Sequence, residues 1–229
     1  MFRKFMELFS SENLLDAAYS TTLTMLETDL RMFKASCETL RQTDTADLPF
    51  DIKREDRKIN KFERQVRRNV LTHLSISGTQ NIVPGLVLVS IVIDVERIGD
   101  YTKNIAELAT MHPRRLDGGP FEDNIVSIET HLNDIFPKVT ELLKDQDTET
   151  ARAILKREEA VGKMAEAVVY AIVSEDGKGL GVKSAVCLSL YARHLKRINA
   201  HLTNIASAVV NPFPRLGFRM KEKPPEAEE

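Results

Sequence analysis

Glu96 and Asp100, two acidic residues four positions apart, form the pair of side chains in this chain best suited to chemistry. Each residue of an α-helix turns about 100°, so side chains four positions apart project within roughly 40° of each other. Two like charges at this spacing destabilise even an exposed helix by a few tenths of a kcal/mol. We therefore expect a cation to compensate this pair.

The stretch upstream carries a parallel set of polar residues, Asp56, Asn60 and Glu63, on one face of a predicted helix. Two neighbouring helices can in this way bring four or more oxygen ligands together. A site made only of oxygen ligands suits hard cations and oxidised iron better than thiol-seeking metals. The sequence thus gives a candidate set of metal ligands: Glu96, Asp100, Asp56, Glu63 and Asn60.

A simpler interpretation treats the same stripe as a solvated face. Asp100 can pair with Lys103 and Glu63 with Arg67, since both partners lie one helical turn away. Gly99 favours the first interpretation, because glycine inside a helix costs about 1 kcal/mol against alanine and is best explained by close approach of another helix or a ligand. Residue types alone leave both interpretations open.

The acidic segment returns later in the chain without its acids. Shifting the numbering by one hundred aligns residues 96–106 with 196–206, and five of the eleven positions are identical. A repeat of this length indicates a duplicated helical subdomain rather than a solenoid unit. Lys196 and Ala200 then stand where Glu96 and Asp100 stand in the first copy.

Composition favours a helical protein and limits the classes of partner. Charged residues make up 29% of the 229-residue chain, with only ten glycines and nine prolines to interrupt helices. The net charge of -2, from 32 basic and 34 acidic side chains, gives no electrostatic attraction to nucleic acid or to an anionic membrane surface.

Cysteines and hydrophobic runs indicate a reducing compartment. Cys37 and Cys187 belong to no CxxC pair, so neither a disulfide framework nor a thiolate metal site is expected. Residues 1–9 lack the long apolar centre of a secretory signal. The most apolar run, Ile82 to Ile93, is twelve residues long, whereas a membrane-spanning helix needs about 20. We therefore expect a cytoplasmic protein with no membrane span.

The periodicity of apolar residues predicts six helices separated by short turns. The third follows possible capping side chains at residues 79–81, has Pro84 in its first turn, and ends near His112. The fourth is expected to kink near Pro137. The predicted helices cover residues 12–43, 51–74, about 82–112, 121–144, 148–174 and 182–210.

The expected fold is therefore all-α, with six long helices arranged as two tandem antiparallel three-helix bundles. The predicted domains are a first three-helix repeat over residues 1–113, a second and degenerate repeat over 118–211, and a disordered tail over 212–229.

These motifs together resemble those of the PhoU family, over residues 12 to 210. The resemblance rests on the segment from Val95 to Asp100 and on residues at matching distances around it: Asp56, Ile59, Asn60, Glu63, Asn104, Ile105 and Ala106. It implies an all-helical protein that binds metal ions or multinuclear clusters through acidic E/D-xxx-D motifs. It also implies a role in phosphate signalling with the phosphate ABC transporter and a sensor histidine kinase.

Carried over by position, Glu96 and Asp100 match the central motif of the family, and residues 56, 60 and 63 match its partner motif on the preceding helix. The second half departs from the pattern, because Lys196 repels a cation and Gly162 replaces the polar ligand between Glu158 and Glu166. We therefore expect at most one populated metal site, holding iron, zinc or another divalent cation.

The sequence thus favours a non-enzymatic, metal-binding helical adaptor that regulates phosphate transport or phosphate-dependent signalling. Expected partners are a phosphate-transporter component or a sensor histidine kinase, with peripheral membrane contact only through a transporter, and a homodimer is a further expectation. One alternative is a metal-free structural or transporter-associated module. Another is a carboxylate-bridged metalloenzyme, although no Glu is followed by His three residues on, as di-iron helical bundles require. A histidine metal site at His194 and His201 is not expected, because His194 points away from the Lys196 position.

Overall fold

A computed structural model describes residues 11–77, 79 and 81–218, and every long element within these residues is an α-helix, which confirms the predicted all-α class. Short 3₁₀ turns lie at Gly119–Phe121, Asp176–Gly179 and Phe213–Arg215. The six helices are α1 Ser11–Gln42, α2 Ile52–Ser77, α3 Ile82–Met111, α4 Glu122–Asp145, α5 Thr148–Ser174 and α6 Val182–Val210.

The helix boundaries follow the sequence closely, with two differences. α2 continues three residues past the predicted end at Leu74, because residues 75–77 contain no helix breaker. The side chain of Asn81 does not cap α3, since it hydrogen-bonds with His73 Nε2 instead, at 3.1 Å. Pro84 lies in the first turn of α3, where its missing N–H costs no helical hydrogen bond.

Each group of three helices packs around its own apolar stripe, and the two groups share one continuous core. In the first group, α1 packs against α2 and α3, and its Met25 and Phe33 are fully buried. In the second group, Phe136 of α4 and Tyr191 of α6 are fully buried. The rings of Phe33 and Phe136 meet with their centroids 5.7 Å apart, so α1 and α4 join the two groups.

The two groups also meet along α3 and α6, the helices that carry the sequence repeat. Tyr101 and His201, which are equivalent under the shift of one hundred, stack with their ring centroids 5.7 Å apart. Asp94 accepts hydrogen bonds from His201 Nδ1 at 2.7 Å and from Asn204 Nδ2 at 3.1 Å. The repeated segments therefore face each other across the centre of the molecule.

A buried arginine ties the end of α1 to the second group. Arg41 forms ion pairs with Glu122 at 2.5 Å and with Glu129 at 2.9 Å, and Glu129 also accepts a hydrogen bond from Tyr191 at 2.6 Å. Arg41 donates a further hydrogen bond to the carbonyl of Leu116, in the connection between the groups. Charged groups this deep in a protein are stable only when paired in this way.

The first residues of the predicted tail pack against α6. The sequence predicts disorder from residue 212, whereas residues 212–218 pack on α6: the amide of Gly217 donates to Ser207 Oγ, and Asn211 Nδ2 donates to the carbonyl of Phe218. The rest of that prediction, and the one for residues 1–9, fall outside the described residues.

Cys37 and Cys187 are free thiols packed in or against the core. None of the described helices is long and apolar enough to span a membrane.

Candidate functional site

The structure brings the acidic residues of α2 and α3 together around one ammonium group. Lys103 Nζ on α3 lies 2.9 Å from Asp56 Oδ1 on α2 and 3.0 Å from Asp100 Oδ1 on its own helix. The carboxylates of Asp56 and Asp100 are therefore near neighbours, as the two stripes of the sequence predict. Asn60 supports the arrangement, since its Nδ2 lies 3.4 Å from Asp56 Oδ2.

The two remaining candidate ligands, Glu63 and Glu96, pair with arginines. Glu63 forms an ion pair with Arg67 at 2.6 Å, and Glu96 lies 3.7 Å from the guanidinium of Arg97. Both ion pairs of the simpler interpretation, from Lys103 to Asp100 and from Arg67 to Glu63, are therefore present.

As the side chains stand, no three Asp, Glu, His or Cys residues in the described part of the chain surround a point where a metal ion could bind. The ligand set of residues 56, 60, 63, 96 and 100 accordingly stays a prediction. Ligation would require these carboxylates to leave their basic partners.

These carboxylates do not form a solvated face. The side chains of Asp56 and Glu63 are each 14% exposed, that of Glu96 is 18% exposed and that of Asp100 is 30% exposed. Partial burial strengthens the repulsion between like charges, because water screens them less. The pKa of Glu96 is raised accordingly, first by burial and then by the charge of Asp100.

Asp29 on α1 is a further acidic residue at this place, and the sequence analysis did not find it. Its side chain is fully buried, and neither carboxylate oxygen has a hydrogen-bond partner among the described residues. A Cβ atom at Gly99 would lie only 2.8 Å from Asp29 Oδ1, so the carboxylate rests directly against α3. Burial raises the pKa of Asp29 well above its usual value, and the charges of Glu96, Asp56 and Asp100 raise it further.

The close contact at Gly99 confirms the expectation that another helix approaches α3 there. Ile59 of α2 is the second neighbour, with its Cδ1 3.1 Å from the same Cβ position. Asp29 itself had a detectable sequence signal, because it interrupts the apolar stripe of α1 one turn after Met25 and Leu26. An acid on the core-facing side of an amphipathic helix is rare and needs a partner.

We call Asp29, Asp56, Glu63, Glu96 and Asp100 the acid cluster. Within the described residues its five acidic side chains pair with three basic groups, Lys103, Arg97 and Arg67, so acids outnumber bases there. Hydrogen bonds to Asp56 and Asp100 raise the pKa of Lys103 even though its partial burial acts to lower it. The oxygen donors and the unpartnered buried carboxylate of Asp29 together fit a hard cation.

The equivalent place in the second group holds a lysine. Lys196 forms an ion pair with Glu166 of α5, and a Cβ atom at Gly162 would lie 3.8 Å from Lys196 Cε and 3.9 Å from Glu158 Oε1. The ammonium of Lys196 therefore lies at the α5–α6 surface that corresponds to the acid cluster. The expectation of at most one metal site stays a prediction.

The two histidines of α6 lie at the contact with α3. The ring of His194 lies 5.8 Å from that of Tyr101, and His201 bonds to Asp94. Burial lowers the pKa of His194 to about 4, with a further contribution from Arg193. Both imidazoles therefore belong to the interface between the groups.

A protein-family comparison gives two matches in this chain. The model of the PhoU domain matches residues 22–109 and again residues 125–209. The two matches fall on the two three-helix groups and together cover well over half of the chain.

Curated relatives are similar over most of their length. The chain is 25% identical over 205 residues to a protein of Deinococcus radiodurans named "Phosphate-specific transport system accessory protein PhoU homolog", covering 85% of this chain and 92% of the relative. A protein of the same name from a Synechocystis species is 24% identical over 164 residues, covering 70% of this chain and 72% of the relative.

Solved structures show the same fold. The crystal structure of PhoU from Pseudomonas aeruginosa matches with a TM-score of 0.76 at 18% identity, over 88% of this chain and 97% of that one. The phosphate transport system regulatory protein PhoU from Streptococcus pneumoniae also matches with a TM-score of 0.76, at 15% identity, over 93% of this chain and all of that one.

Proposed function

The chain belongs to the PhoU family, and from this membership we propose that it is a non-enzymatic regulator of phosphate transport. The names of its relatives support this role, since they describe accessory and regulatory proteins of phosphate transport systems. The similarity extends through both three-helix groups, so the proposal concerns the whole architecture rather than a fragment of it.

We further propose that the acid cluster is a metal site that controls how firmly α1, α2 and α3 are held together. The observation that carries this proposal is Asp29, a fully buried carboxylate that has no hydrogen-bond partner in the described part of the chain and faces further carboxylates on two other helices. A bound cation supplies positive charge there. Asp29 would then draw α1 to the site, Asp56 and Glu63 would draw α2, and Glu96 and Asp100 would draw α3.

Joining three helices in this way would stiffen the first group and fix the surface that it offers to a partner. The partner we propose is a component of a phosphate transporter or a sensor histidine kinase. Contact with the membrane would then pass through that partner, consistent with the lack of a spanning helix among the described residues.

Co-purification tests this function. The full chain serves as bait for the ATP-binding subunit of a phosphate transporter and for a phosphate-responsive histidine kinase from the same genome, in cells grown at high and at low phosphate. We expect one of the two to be retained, with retention that depends on phosphate. Retention of neither partner under either condition would contradict the proposed role.

Two double variants show whether the acid cluster contributes to the interaction. Glu96→Ala with Asp100→Ala removes two proposed ligands, and Asp123→Ala with Glu141→Ala removes two exposed acids of α4 as a matched control. We expect the first double variant to lose partner retention and the second to keep it. Equal retention of the partner by both variants would show that the regulatory role does not depend on the metal site.

A second candidate function is a metal-free helical module that associates with a transporter. The pairing of Asp56 and Asp100 with Lys103 favours it, since both carboxylates already share a basic side chain as partner. Elemental analysis of protein purified without chelator distinguishes the two functions, because only the metal-binding adaptor retains a cation.

A further inference from the structure

Lys103 occupies the point at which α2 and α3 would share a cation. Its Nζ lies within hydrogen-bond distance of Asp56 on one helix and Asp100 on the other, and its side chain is only 23% exposed. Within the described ranges, the arginines at this place, Arg67 and Arg97, pair only with acids of their own helix. Lys103 is therefore positioned as an internal counter-cation of the acid cluster.

We propose that Lys103 competes with metal for the acid cluster: its ammonium holds Asp56 and Asp100 in the metal-free protein and must leave before these carboxylates can ligate a cation. This inference rests on the metal site proposed above. It adds that Lys103 sets the metal concentration at which the site fills, and so acts as an affinity-determining residue.

The geometry of the site favours this competition. Metal–oxygen bonds of hard cations measure about 2.0 to 2.6 Å, whereas the ammonium of Lys103 is 2.9 and 3.0 Å from the same oxygens. A cation bound to Asp56 Oδ1 and Asp100 Oδ1 on the side where Nζ lies would be almost against the ammonium, and the two positive charges would repel each other. The long lysine stem can rotate the ammonium out into water, because lysine side chains carry several freely rotating bonds.

Asp29 supplies an independent reason for a cation to enter. Lys103 forms its ion pairs with Asp56 and Asp100, while both oxygens of Asp29 remain unpartnered in the described structure. An ion in the cluster can reach the carboxylate that the lysine leaves unpaired. The metal therefore offers a compensation that Lys103 does not.

In the second group a lysine takes the place of one of the acidic ligands. Lys196 stands at the repeat position of Glu96 itself and pairs with Glu166, so its ammonium replaces a ligand instead of competing for one. In the first group all the acids are kept and Lys103 lies beside them. The first group is thus arranged for exchange between lysine and metal, and the second is not.

The test compares Lys103→Met with Lys138→Met, which removes the same charge from an exposed pair with Asp134 on α4. The full chain is stripped with chelator and titrated with Mn²⁺, and free Mn²⁺ is followed by its electron paramagnetic resonance signal. We expect Lys103→Met to lower the Kd at least about tenfold, equivalent to about 1.4 kcal/mol. Lys138→Met should stay within about twofold of the unmodified chain, as a distant substitution does.

Thermal unfolding gives a second readout that metal affinity alone does not determine. Without metal, Lys103→Met should melt below the unmodified chain because its carboxylates lose their counter-charge, and saturating Mn²⁺ should raise its Tm more than that of the unmodified chain. Lys103→Gln, which keeps a hydrogen-bond donor but no charge, provides the same comparison if the methionine variant does not fold.

The outcomes separate this inference from the metal site itself. If the unmodified chain binds Mn²⁺ and Lys103→Met binds it no more tightly, competition is disproved and the metal site stands. An equal gain in Lys103→Met and Lys138→Met would assign the effect to overall charge and would also disprove competition. If no variant binds Mn²⁺, Fe²⁺ or Zn²⁺, the metal site fails and the competition fails with it.

Discussion

At the scale of single residues, the carboxylate of Asp29 decides how the acid cluster behaves. A buried carboxylate without a hydrogen-bond partner is stable only as the neutral acid or beside a positive charge. Its pKa is raised well above the usual value, first by burial and then by Glu96, Asp56 and Asp100. Metal-free protein therefore keeps a proton on Asp29 to higher pH than an exposed aspartate does, and metal binding would release it.

This predicts a pH-dependent effect of Asp29→Asn in metal-free protein. The unfolded chain ionises Asp29 near pH 4, whereas the folded chain keeps the proton to higher pH. Above that pH the folded state binds more protons than the unfolded state, so the free energy of unfolding falls as pH rises. The variant has no carboxyl group to ionise, so it should lose less stability as pH rises and be the more stable protein at neutral pH.

Urea unfolding of the chelator-treated chain at several pH values measures the effect. Asp16→Asn, an exposed substitution on the same helix, serves as the control and should change little. A variant that is less stable than the unmodified chain at neutral pH, or whose gain does not grow with pH, would show that Asp29 is not protonated as described.

At the scale of helices, the packing is tight around Gly99 of α3 and looser around Gly162 of α5. A Cβ atom at Gly99 of α3 would lie 2.8 Å from Asp29 Oδ1 and 3.1 Å from Ile59 Cδ1, and both neighbours are buried. At Gly162 of α5 the nearest atoms would be 3.8 and 3.9 Å away, at ordinary contact distance. α3 is therefore held tightly against α1 and α2, whereas α5 leaves room opposite Lys196.

The same substitution should consequently have opposite effects at the two places. Gly162→Ala should stabilise the protein by up to about 1 kcal/mol, because alanine is the better helix former. Gly99→Ala should destabilise it by about 1 to 3 kcal/mol, since overpacking against buried neighbours outweighs that gain. Thermal unfolding of the two variants checks both signs. Stabilisation by Gly99→Ala would mean that Asp29 can move away freely.

Much of this arrangement could be predicted from the sequence because it depends on local patterns. The ends of α5 and α6 follow from periodicity and from neighbouring glycines, and Asp56 meets Asp100 because each lies on the polar stripe of its helix. The place of Asp29 could not be predicted in this way, since it depends on how α1 is set against Gly99. The bond from His201 to Asp94 likewise depends on how the two groups dock.

At the scale of the whole molecule, the contact between α3 and α6 joins the two three-helix groups. Two of its rings, Tyr101 and His201, lie at equivalent places of the repeat and stack, and the ring of His194 packs against Tyr101. His194 Nδ1 is buried without a hydrogen-bond partner among the described residues. Burial, followed by the charge of Arg193, lowers the pKa of His194 to about 4, so the folded protein holds it neutral.

Acid should therefore weaken the molecule through His194. The unfolded chain protonates this histidine near pH 6.5, whereas the folded chain does so only near pH 4. Between these values the unfolded state binds more protons, and the free energy of unfolding falls as pH drops. His194→Phe keeps a ring against Tyr101 and should remove about 2 kcal/mol of this loss by pH 4.

Unfolding free energies of the two proteins from about pH 8 to pH 4 check this prediction, with the values near pH 8 as the internal reference. Parallel curves for the phenylalanine variant and the unmodified chain would show that His194 titrates alike in both states.

The metal content of the full chain tests the central claim most directly. Protein purified without chelator is compared with Glu96→Ala plus Asp100→Ala and with Asp123→Ala plus Glu141→Ala, using elemental analysis of each protein after gel filtration. If the acid cluster binds metal, the unmodified chain and the α4 control should contain iron, zinc or another divalent cation. The first double variant should lose most of that metal. A metal-free unmodified chain, or equal metal in all three proteins, would contradict the claim.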